Sequence, residues 1–249
     1  MKPAARCNNA TAATYPGEGQ HLHFAEGSFR FAFKGIYING ERKGEKTVGK
    51  MFKKRSMPTF AADCFQDDIR ASKKAIEIVD DWNSTGIFDG HFSVNEPETW
   101  TWQGAASTVR VPYPHLYAGQ QVLQEPFIEG YEKWNSNSGW HNSETRLGQA
   151  MQALSHFSYH VTKGRCVLCD LQGGFAPESW PALRDPVLTD PVILSCDGRY
   201  GMTDLGMNGI RSFFNEHRCN QFCKDEWIKP RAGPCVKLRP APMKATSRA

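Results

Sequence analysis

The sequence predicts an α+β protein with two lobes. Three observations indicate this class: segments typical of strands dominate the first half of the chain, amphipathic helical segments dominate the second half, and a short apolar strand directly follows one of the helical segments. Strands grouped before helices favour an α+β arrangement over a regular alternation of the two. The 249 residues, 40% of them apolar, suffice for one large domain or for two small lobes that share a core.

The first half is predicted to form a strand meander after a polar, weakly ordered lead-in at residues 1–20. Residues 24–38 (FAEGSFRFAFKGIYI) and 46–52 (KTVGKMF) are rich in aromatic and β-branched residues, and the Asn-Gly pair between them favours a tight turn. Short apolar runs broken by prolines at 109–128 predict further strands, and the polar residues 130–139 are predicted to form a connector.

Three segments have the apolar periodicity of amphipathic helices. Asp63 can cap a first helix, which runs to about Trp82. A second helix is predicted from Asn142 or Ser143 onward, and a third over residues 204–217. Because helices follow strands in this order, the second lobe is expected to be the more helical one.

Composition excludes several classes of protein. No run approaches the roughly 18 consecutive apolar residues of a membrane span, and the N-terminus lacks the apolar core of about 7–15 residues found in secretory signals. Eight cysteines in 249 residues are too few for a disulfide framework. We therefore expect an intracellular, cytoplasmic protein with reduced thiols and no membrane partner.

The basic charge is concentrated at the C-terminus. The net charge is +4, but residues 229–249 carry six Lys and Arg residues and no acidic residue, so the remaining chain has a net charge of −2. A proline-containing basic end of this kind is typical of a disordered, solvated tail, with docking to an acidic partner as the alternative. Because the folded part is not basic, no nucleic-acid partner is expected.

A cluster of potential metal ligands follows the third helical segment, at residues 217–223 (HRCNQFC). Imidazole and thiolate groups this close together suit Zn²⁺, and His217, Cys219 and Cys223 need a fourth ligand to close a tetrahedral structural site. The alternative is that Cys219 and Cys223 are ordinary buried thiols beside a histidine at a helix end.

Four residues are candidates for the fourth ligand: His156, His160, Cys166 and Cys169. The two cysteines are three residues apart on a predicted buried strand at 165–171 (RCVLCDL), so their side chains leave opposite faces and cannot both reach one ion. His156 lies off the apolar stripe of the second helix. Spacing alone does not separate His156 from His160.

A second candidate site uses oxygen ligands. Alternation along the strand end directs Asp170 and Gln172 to the same side, where a carboxylate and an amide can orient a hydroxyl or bind Mg²⁺. Asp190 adds a carboxylate on a tight turn that ends in a proline. Taken singly, Asp170 and Asp190 are also what an ordinary turn would contain.

Charged residues in the first half could contact a ligand. Lys50 lies in an apolar strand, where a buried ammonium requires an anionic partner such as a phosphate; the alternative is an edge lysine whose amine reaches water. Glu125 precedes a polar stretch that contains Lys133 and Asn137, and this stretch is either a surface connector or a hinge that binds a ligand.

In order and spacing, these motifs together resemble the alpha-kinase family, the atypical kinases that include myosin heavy chain kinase, elongation factor kinase and the channel-kinases. The resemblance extends over about residues 24–227. It is carried by GSFR at 27–30, Lys50, EPFIEG at 125–130, KWNSNSG at 133–139, SHFS at 155–158, DLQG at 170–173, LTDP at 188–191, GMTDLG at 201–206 and HRCNQFC at 217–223.

The resemblance implies a bilobed protein-kinase-like domain at residues 21–228, with an N-lobe at about 21–128, a C-lobe at about 129–228 and ATP in the cleft. Lys50 then matches the lysine that holds the α- and β-phosphates, and Glu125 the hinge glutamate beside adenine. The strand that contacts the nucleotide matches the segment from Gly27 to Arg30.

The resemblance also implies an enzyme that transfers the terminal phosphate of ATP to Ser or Thr of a protein substrate. Lys133 and Asn137 match residues that approach the terminal phosphate and the substrate. Gln172 and Asp190 match the Mg²⁺ ligands, and Asp170 matches the aspartate that positions or deprotonates the attacking hydroxyl.

For the metal cluster, the resemblance selects His156 as the fourth ligand. The implied set is His156, His217, Cys219 and Cys223. Four protein ligands leave no open position, so this zinc would stabilise the C-lobe and would not catalyse.

The sequence departs from the better-known members of this family in two ways. An additional segment at 175–186 (FAPESWPALRDP) places Asp190 twenty residues after Asp170. The kinase-like region also has no flanking channel, repeat or calmodulin-binding segment, as in stand-alone fungal members.

The alternatives to an active kinase are a catalytically silent pseudokinase and a zinc-stabilised interaction module. The sequence predicts neither the substrate nor the oligomeric state.

Overall fold

The computed structural model of the chain describes residues 2–15, 23–27, 29–53, 64–103, 119–176 and 185–231. These residues form three helices, α1 (Cys64–Thr85), α2 (Arg146–Val161) and α3 (Gly206–Glu216). They also form thirteen strands: β1 (Ala5–Arg6), β2 (Ala13–Thr14), β3 (Ala25–Glu26), β4 (Arg30–Tyr37), β5 (Lys46–Phe52), β6 (Ser93–Asn95), β7 (Glu98–Thr101), β8 (Gln121–Pro126), β9 (Glu129–Lys133), β10 (Cys166–Cys169), β11 (Gln172–Phe175), β12 (Pro186–Leu188) and β13 (Val192–Ser195).

Contacts divide the chain into two compact units. The strand unit comprises the described parts of Cys7–Phe65 and Glu96–Phe127, and the helical unit comprises residues 2–6, Gln66–Asn95 and 128–231. The N-lobe predicted at 21–128 includes the first helix. The contacts instead assign nearly all of α1 to the helical unit, because its apolar face belongs to the core of that unit.

The strand unit is built on one antiparallel sheet of order β2-β4-β5-β8-β7, with β3 also paired to β4. The predicted strands at 24–38 and 46–52 are confirmed as β3, β4 and β5. Residues of β4 alternate between buried and accessible, so one face contributes Phe31 and Phe33 to an apolar cluster with Tyr15 and Met51.

The prediction of a weakly ordered lead-in at residues 1–20 is wrong for residues 2–15. These residues form β1 and β2, and Ala4, Asn8 and Tyr15 are buried. The strand β1 pairs with β6 in the helical unit, whereas β2 pairs with β4 in the strand unit. Their order therefore comes from pairing with strands far along the chain, which local sequence patterns do not reveal.

The helical unit contains a five-stranded mixed sheet of order β1-β6-β12-β11-β9 and a separate antiparallel pair, β10-β13. Its largest apolar cluster includes Trp82 of α1, Phe157 of α2 and Trp227 from the segment after α3. Tryptophan and phenylalanine rings bury large areas, so these contacts hold α1 and α2 together.

Two of the predicted helices begin later than expected. Helix α2 starts at Arg146 rather than at Asn142 or Ser143 because the Thr145 hydroxyl accepts a hydrogen bond from the Gly148 amide, an N-cap contact. Helix α3 starts at Gly206 with Leu205 as its N-cap and no side-chain cap contact, and Asp204 precedes the helix and accepts from Ser195, Tyr200 and the Gly206 amide. The cap predicted at Asp63 for α1 lies outside the described residues.

The strand β10 confirms the prediction of a buried strand whose two cysteine side chains leave opposite faces. Cys166 belongs to the same apolar cluster as Leu168, whereas Cys169 belongs to a different cluster with Val167. Their side chains therefore lie on opposite faces of the strand and do not form a two-ligand unit.

The prediction of a connector at 130–139 is wrong for its first residues, because Glu129–Lys133 forms the edge strand β9 beside β11.

Among the described residues, no helix combines the length and the apolar character required to cross a membrane.

Candidate active site and metal cluster

In the strand unit, Lys50 and Glu125 form a buried ion pair. The Lys50 Nζ lies 2.5 Å from the Glu125 Oε1, and the two residues are 7% and 3% exposed. The pairs Lys50↔Leu123 and Val48↔Glu125 make Lys50 and Glu125 diagonal neighbours on one face of the sheet. The anionic partner that a buried lysine requires is therefore supplied at least in part by Glu125.

Gly27 and Arg30 lie at the turn between β3 and β4. The Gly27 amide donates to the Arg30 carbonyl over 2.9 Å, and the Arg30 guanidinium lies over the Phe52 ring, 5.0 Å from its centroid. Arg30 is two positions along β4 from Ala32, which pairs with Lys50, so Arg30 and Lys50 share a face of the sheet.

In the helical unit, Asp170 is the centre of a cluster of charged and polar side chains. The Lys133 Nζ lies 2.6 Å from the Asp170 Oδ1, and the Gln172 Nε2 lies 3.4 Å both from the Asp170 Oδ2 and from the Asp190 carbonyl oxygen. The strands explain this arrangement, because Lys133 of β9 is directly opposite Gln172 of β11. The structure thus brings together the predicted residues Lys133, Asp170, Gln172 and Asp190.

The backbone at both aspartates has an unusual conformation. Asp170 has a φ of 55° and Asp190 a φ of 48°, in the left-handed region. This region costs a residue other than glycine about 1–3 kcal/mol, and such residues are concentrated at functional sites. Aspartate is among the residue types that tolerate it best.

Two glycines allow the neighbouring strands to approach β11 closely. A Cβ atom at Gly173 would lie 1.9 Å from the Val187 carbonyl oxygen, and one at Gly174 would lie 2.1 Å from the Glu129 carbonyl oxygen. No side chain fits at either position without moving the backbone of β12 or β9. The glycines therefore set the spacing of the strands that carry Gln172 and Lys133.

The charges of this cluster act on the Asp170 carboxyl in opposite directions. Burial raises the pKa of Asp170 above its ordinary value, Lys133 opposes this rise, and the negative charge of Asp190 adds to it. A raised pKa makes a carboxylate a better proton acceptor, as a general base requires.

Asn137 is not part of this cluster. Its Nδ2 donates to the Thr203 carbonyl oxygen over 3.0 Å, which attaches the polar loop after β9 to the segment at 201–206. The neighbouring Asn135 instead contacts the strand end itself: its Oδ1 accepts from the Leu171 amide over 2.8 Å, and its Nδ2 donates to the Ser155 hydroxyl. Asn135 thereby fixes the backbone beside Asp170.

One contact at this site was missed in the sequence. The Tyr131 hydroxyl donates to the Gln172 Oε1 over 2.6 Å, although the tyrosine as a whole is 58% exposed. Tyr131 lies two positions before Lys133 on β9, so the strand period of two could have identified it if residues 129–133 had been predicted as a strand.

The His/Cys residues form a second cluster in the helical unit. One ligand atom from each of His156, His217, Cys219 and Cys223 lies within 4.8 Å of all the others. The Cys219 Sγ is 3.7 Å from the His156 Nδ1, and the Cys223 Sγ is 3.7 Å from the His217 Nε2. Zinc bond lengths at tetrahedral angles place sulfur and nitrogen ligands about 3.6 Å apart. The donor set and its spacing fit a zinc ion.

The protonation of the two histidines also suits metal binding. The His156 Nε2 lies 3.1 Å from the Ile228 carbonyl oxygen and must donate to it, so in the neutral ring Nδ1 carries the lone pair that faces the cluster. Burial lowers the pKa of His156, and it lowers that of His217 to about 3. Both rings are therefore neutral near pH 7, as metal ligands must be.

The thiol of Cys223 requires a cation to ionise. Burial, more than any other influence, raises the pKa of Cys223 to about 11. A bound metal ion reverses this preference, because it stabilises the thiolate directly. Trp227 covers the cluster, with its ring centroid 5.3 Å from that of His156.

His160 and the two strand cysteines are not in the cluster. Of the four candidates for the fourth ligand, the structure brings only His156 to the other three residues, within the part of the chain that it describes.

The predicted additional segment at 175–186 lies mostly outside the described residues. Its ends are described, and they return to adjacent strands, since Phe175 pairs with Pro186.

The fold is that of an alpha-kinase catalytic domain. The chain superimposes on the alpha-kinase domain of myosin-II heavy chain kinase A in complex with AMP-PNP with a TM-score of 0.66, 22% identity and coverage of 81% of this chain and 82% of that chain. A structure of the same domain in complex with ADP gives a TM-score of 0.65 at 22% identity, covering 81% and 83% of the two chains.

The chain belongs to the alpha-kinase family, whose family model matches residues 25–223. It is 29% identical to alpha-protein kinase vwkA of Dictyostelium discoideum over 81% of this chain and 29% of that protein. It is 38% identical to eukaryotic elongation factor 2 kinase of Caenorhabditis elegans over 40% of this chain and 12% of that protein. The chain thus spans less than a third of the length of these relatives.

Proposed function

We propose that this chain is an ATP-dependent protein kinase of the alpha type, which transfers the terminal phosphate of ATP to Ser or Thr residues of protein substrates. The observation that carries the proposal is the cluster in which Lys133, Asp170, Gln172 and the Asp190 backbone are in direct contact. Membership of the alpha-kinase family supports the same activity.

In the strand unit, Lys50 is proposed to hold the α- and β-phosphates of ATP. Its side chain is buried in a regular sheet, and the ion pair with Glu125 restricts its position. A phosphate oxygen is a suitable additional partner for such a lysine. Glu125 is proposed to line the adenine end, with Gly27 and Arg30 at the strand turn contacting the nucleotide.

In the helical unit, Asp170 is proposed to orient the substrate hydroxyl and to accept its proton as the hydroxyl oxygen bonds to the terminal phosphorus and ADP departs. Phosphoryl transfer depends on positioning and on neutralising negative charge, and Lys133 supplies a positive charge beside Asp170. We propose Asn137 as a substrate contact through the loop that it attaches to Thr203.

Gln172 and Asp190 are proposed to hold Mg²⁺, which would neutralise charge on the phosphates. Two carboxylates near one lysine leave an excess of negative charge: burial raises the pKa of Asp170 most, and the negative charge of Asp190 raises it further. Amide and carboxylate oxygens are the ligands that Mg²⁺ prefers.

His156, His217, Cys219 and Cys223 are proposed to hold a structural zinc ion. The ion would connect α2 to the segment that follows α3, since His156 lies in α2 and the other three residues lie at or after the end of α3. Four protein ligands leave no position for a substrate, so the role is stabilisation.

The test is transfer of labelled phosphate from ATP with Mg²⁺ to a generic basic protein and to the chain itself. The matched variant is Asp170→Asn, because asparagine tolerates the positive φ that alanine would strain. We expect the variant to bind ATP but to lose activity by about 100-fold or more.

Equal transfer by the wild type and by Asp170→Asn would contradict the role of Asp170. A folded, ATP-binding wild-type chain that transfers no phosphate to any substrate or to itself would contradict the kinase proposal and favour a pseudokinase that binds nucleotide or a partner.

A further inference from the structure

The segment at residues 8–15 lies outside the region matched by the family model, yet it is built into the strand unit. The family match begins at residue 25. Asn8 is fully buried and Tyr15 is 7% exposed, and β2 pairs with β4 through Ala13↔Tyr37 and Thr14↔Ile36. This segment is therefore part of the same sheet that carries Lys50.

Two glycines make room for Tyr15 on that sheet. A Cβ atom at Gly49 would lie 2.2 Å from the Tyr15 Oη, and a Cβ atom at Gly35 would lie 3.0 Å from the Tyr15 Cε1 and 2.9 Å from the Thr14 carbonyl oxygen. Glycine weakens a strand interior and often marks a place where another part of the chain approaches closely. Here the approaching group is Tyr15, so the two glycines and the tyrosine form one packing unit.

The Tyr15 hydroxyl begins a buried chain of hydrogen bonds. It donates to the Gln124 Oε1 over 2.5 Å, and the Gln124 Nε2 donates to the Thr47 Oγ1 over 2.5 Å. The Thr47 hydroxyl then donates to the backbone carbonyl of Glu125 over 2.8 Å. Each step has a defined direction, because the tyrosine donates at one end and a carbonyl oxygen accepts at the other.

A second contact from the same segment fixes the backbone of the same strand. The Asn8 Nδ2 donates to the Gln124 carbonyl oxygen over 3.1 Å, and the Asn8 Oδ1 accepts from the Tyr37 hydroxyl. The carbonyl groups of Gln124 and Glu125 are thus both held by side chains in addition to the pairing of the sheet. Glu125 is the residue whose carboxylate pairs with Lys50.

We propose that Tyr15 is a positioning residue for ATP binding, which fixes the backbone of β8 at Glu125 and thereby the geometry of the Lys50–Glu125 pair. This inference rests on the proposed function, in which Lys50 holds the phosphates. Tyr15 itself is not proposed to contact the nucleotide. Its hydroxyl sets the position of β8 through Gln124 and Thr47, and removing it leaves a buried acceptor on Gln124 without its partner.

The experiment compares Tyr15→Phe with Tyr159→Phe. Both variants lose one hydroxyl and keep a buried ring, but Tyr159 packs in the helical unit, whereas Lys50 and Glu125 belong to the strand unit. We measure the Kd for ATP by calorimetry, the KM for ATP and the kcat, at a temperature well below the melting temperature of every variant.

We expect Tyr15→Phe to raise the Kd and the KM for ATP about five- to tenfold, with a change in kcat of less than about twofold. Tyr159→Phe is expected to leave both values at the wild-type level. A merely structural role for Tyr15 would lower the melting temperature without this separation of KM from kcat.

A second variant tests the packing unit. Gly49→Ala places a methyl group against the Tyr15 hydroxyl and should weaken ATP binding in the same way. Combined with Tyr15→Phe, which removes the closest clashing atom, the two changes should be less than additive in the free energy of ATP binding.

The outcomes separate this inference from the proposed function. If the wild type binds ATP and transfers phosphate but Tyr15→Phe has an unchanged Kd and KM, the positioning role of Tyr15 is wrong and the kinase proposal stands. If the wild type binds no ATP, the nucleotide role of Lys50 is wrong, and the role of Tyr15 is wrong with it.

Discussion

The two candidate metal centres in the helical unit hold their ligands by different means. The His/Cys cluster uses residues in ordinary backbone conformations, and aromatic rings such as Trp227 and Phe214 pack against His156. The Asp170 cluster instead uses strand ends in a strained conformation and side chains held by one another's charges. Packing suits an ion that remains in place, whereas strain and excess charge suit a site where phosphate and metal ions must enter and leave.

The largest effect should come from breaking the His/Cys cluster. Cys219→Ser is expected to release zinc and to lower the melting temperature by about 10 °C or more, because a structural zinc ion contributes several kcal/mol to folding. The measurements are bound zinc by elemental analysis and thermal unfolding by calorimetry.

The matched control is Cys196→Ser, the same change at an exposed cysteine outside the cluster. For contrast, Asp170→Asn should shift the melting temperature by at most about 2 °C, since a buried carboxylate with a raised pKa is itself costly. Equal melting temperatures for Cys219→Ser and Cys196→Ser would contradict a structural role for the cluster.

An intermediate effect is expected from Tyr131→Phe. The Tyr131 hydroxyl holds the only oxygen of the Gln172 side chain, which is the only atom of that side chain able to bind Mg²⁺. Without it the Gln172 amide keeps only the two 3.4 Å contacts of its Nε2, to the Asp170 Oδ2 and to the Asp190 carbonyl oxygen, and its oxygen is held less firmly. The Mg²⁺ concentration for half-maximal activity should therefore rise about three- to tenfold.

The measurement for Tyr131→Phe is a titration of kinase activity with Mg²⁺ at saturating ATP. Tyr200→Phe, also in the helical unit, serves as the control tyrosine. An unchanged Mg²⁺ requirement in Tyr131→Phe would show that the hydroxyl does not position Gln172.

The smallest effect concerns the titration of Asp170. Its pKa in the folded chain is raised above the unfolded value, so Asp170 favours folding at acid pH, and this contribution is lost as the pH rises through the folded pKa. Lys133→Met removes the opposing positive charge and should raise the pKa of Asp170 further. Carboxyl carbon NMR on the wild type and on Lys133→Met measures the pKa of Asp170. A lower pKa in the variant than in the wild type would contradict the proposed balance of charges.

The chemistry of both clusters could be predicted because their residue types are specific. A histidine and two cysteines within seven residues favour zinc, and an aspartate and a glutamine at the end of an apolar strand favour a magnesium or hydroxyl site. The choice of His156 over His160 required the family resemblance, since both lie on α2 and spacing treats them equally. The resemblance matched Asn137 to a residue that approaches the terminal phosphate and the substrate, and in the structure its side chain donates to the Thr203 carbonyl oxygen.

The parts that could not be predicted have no local signature. The strand β9 lies at a sheet edge and is almost entirely exposed, so its residues show no alternation of apolar and polar side chains. Tyr15 is ordered by a bond to Gln124, 109 residues away, within a segment too short and polar to predict as a strand. The glycines at 35 and 49 have a visible reason only once Tyr15 is in place.

The position of Trp227 against His156 gives the His/Cys cluster its own optical reporter. Indole emission responds to charge and to quenching groups within a few ångströms, and a metal ion bound to His156 would change both for Trp227. The gain or loss of the ion can therefore be followed by intrinsic fluorescence, without a label and at low protein concentration. A Trp227→Phe variant lacks this indole, and its emission gives the background from the other tryptophans.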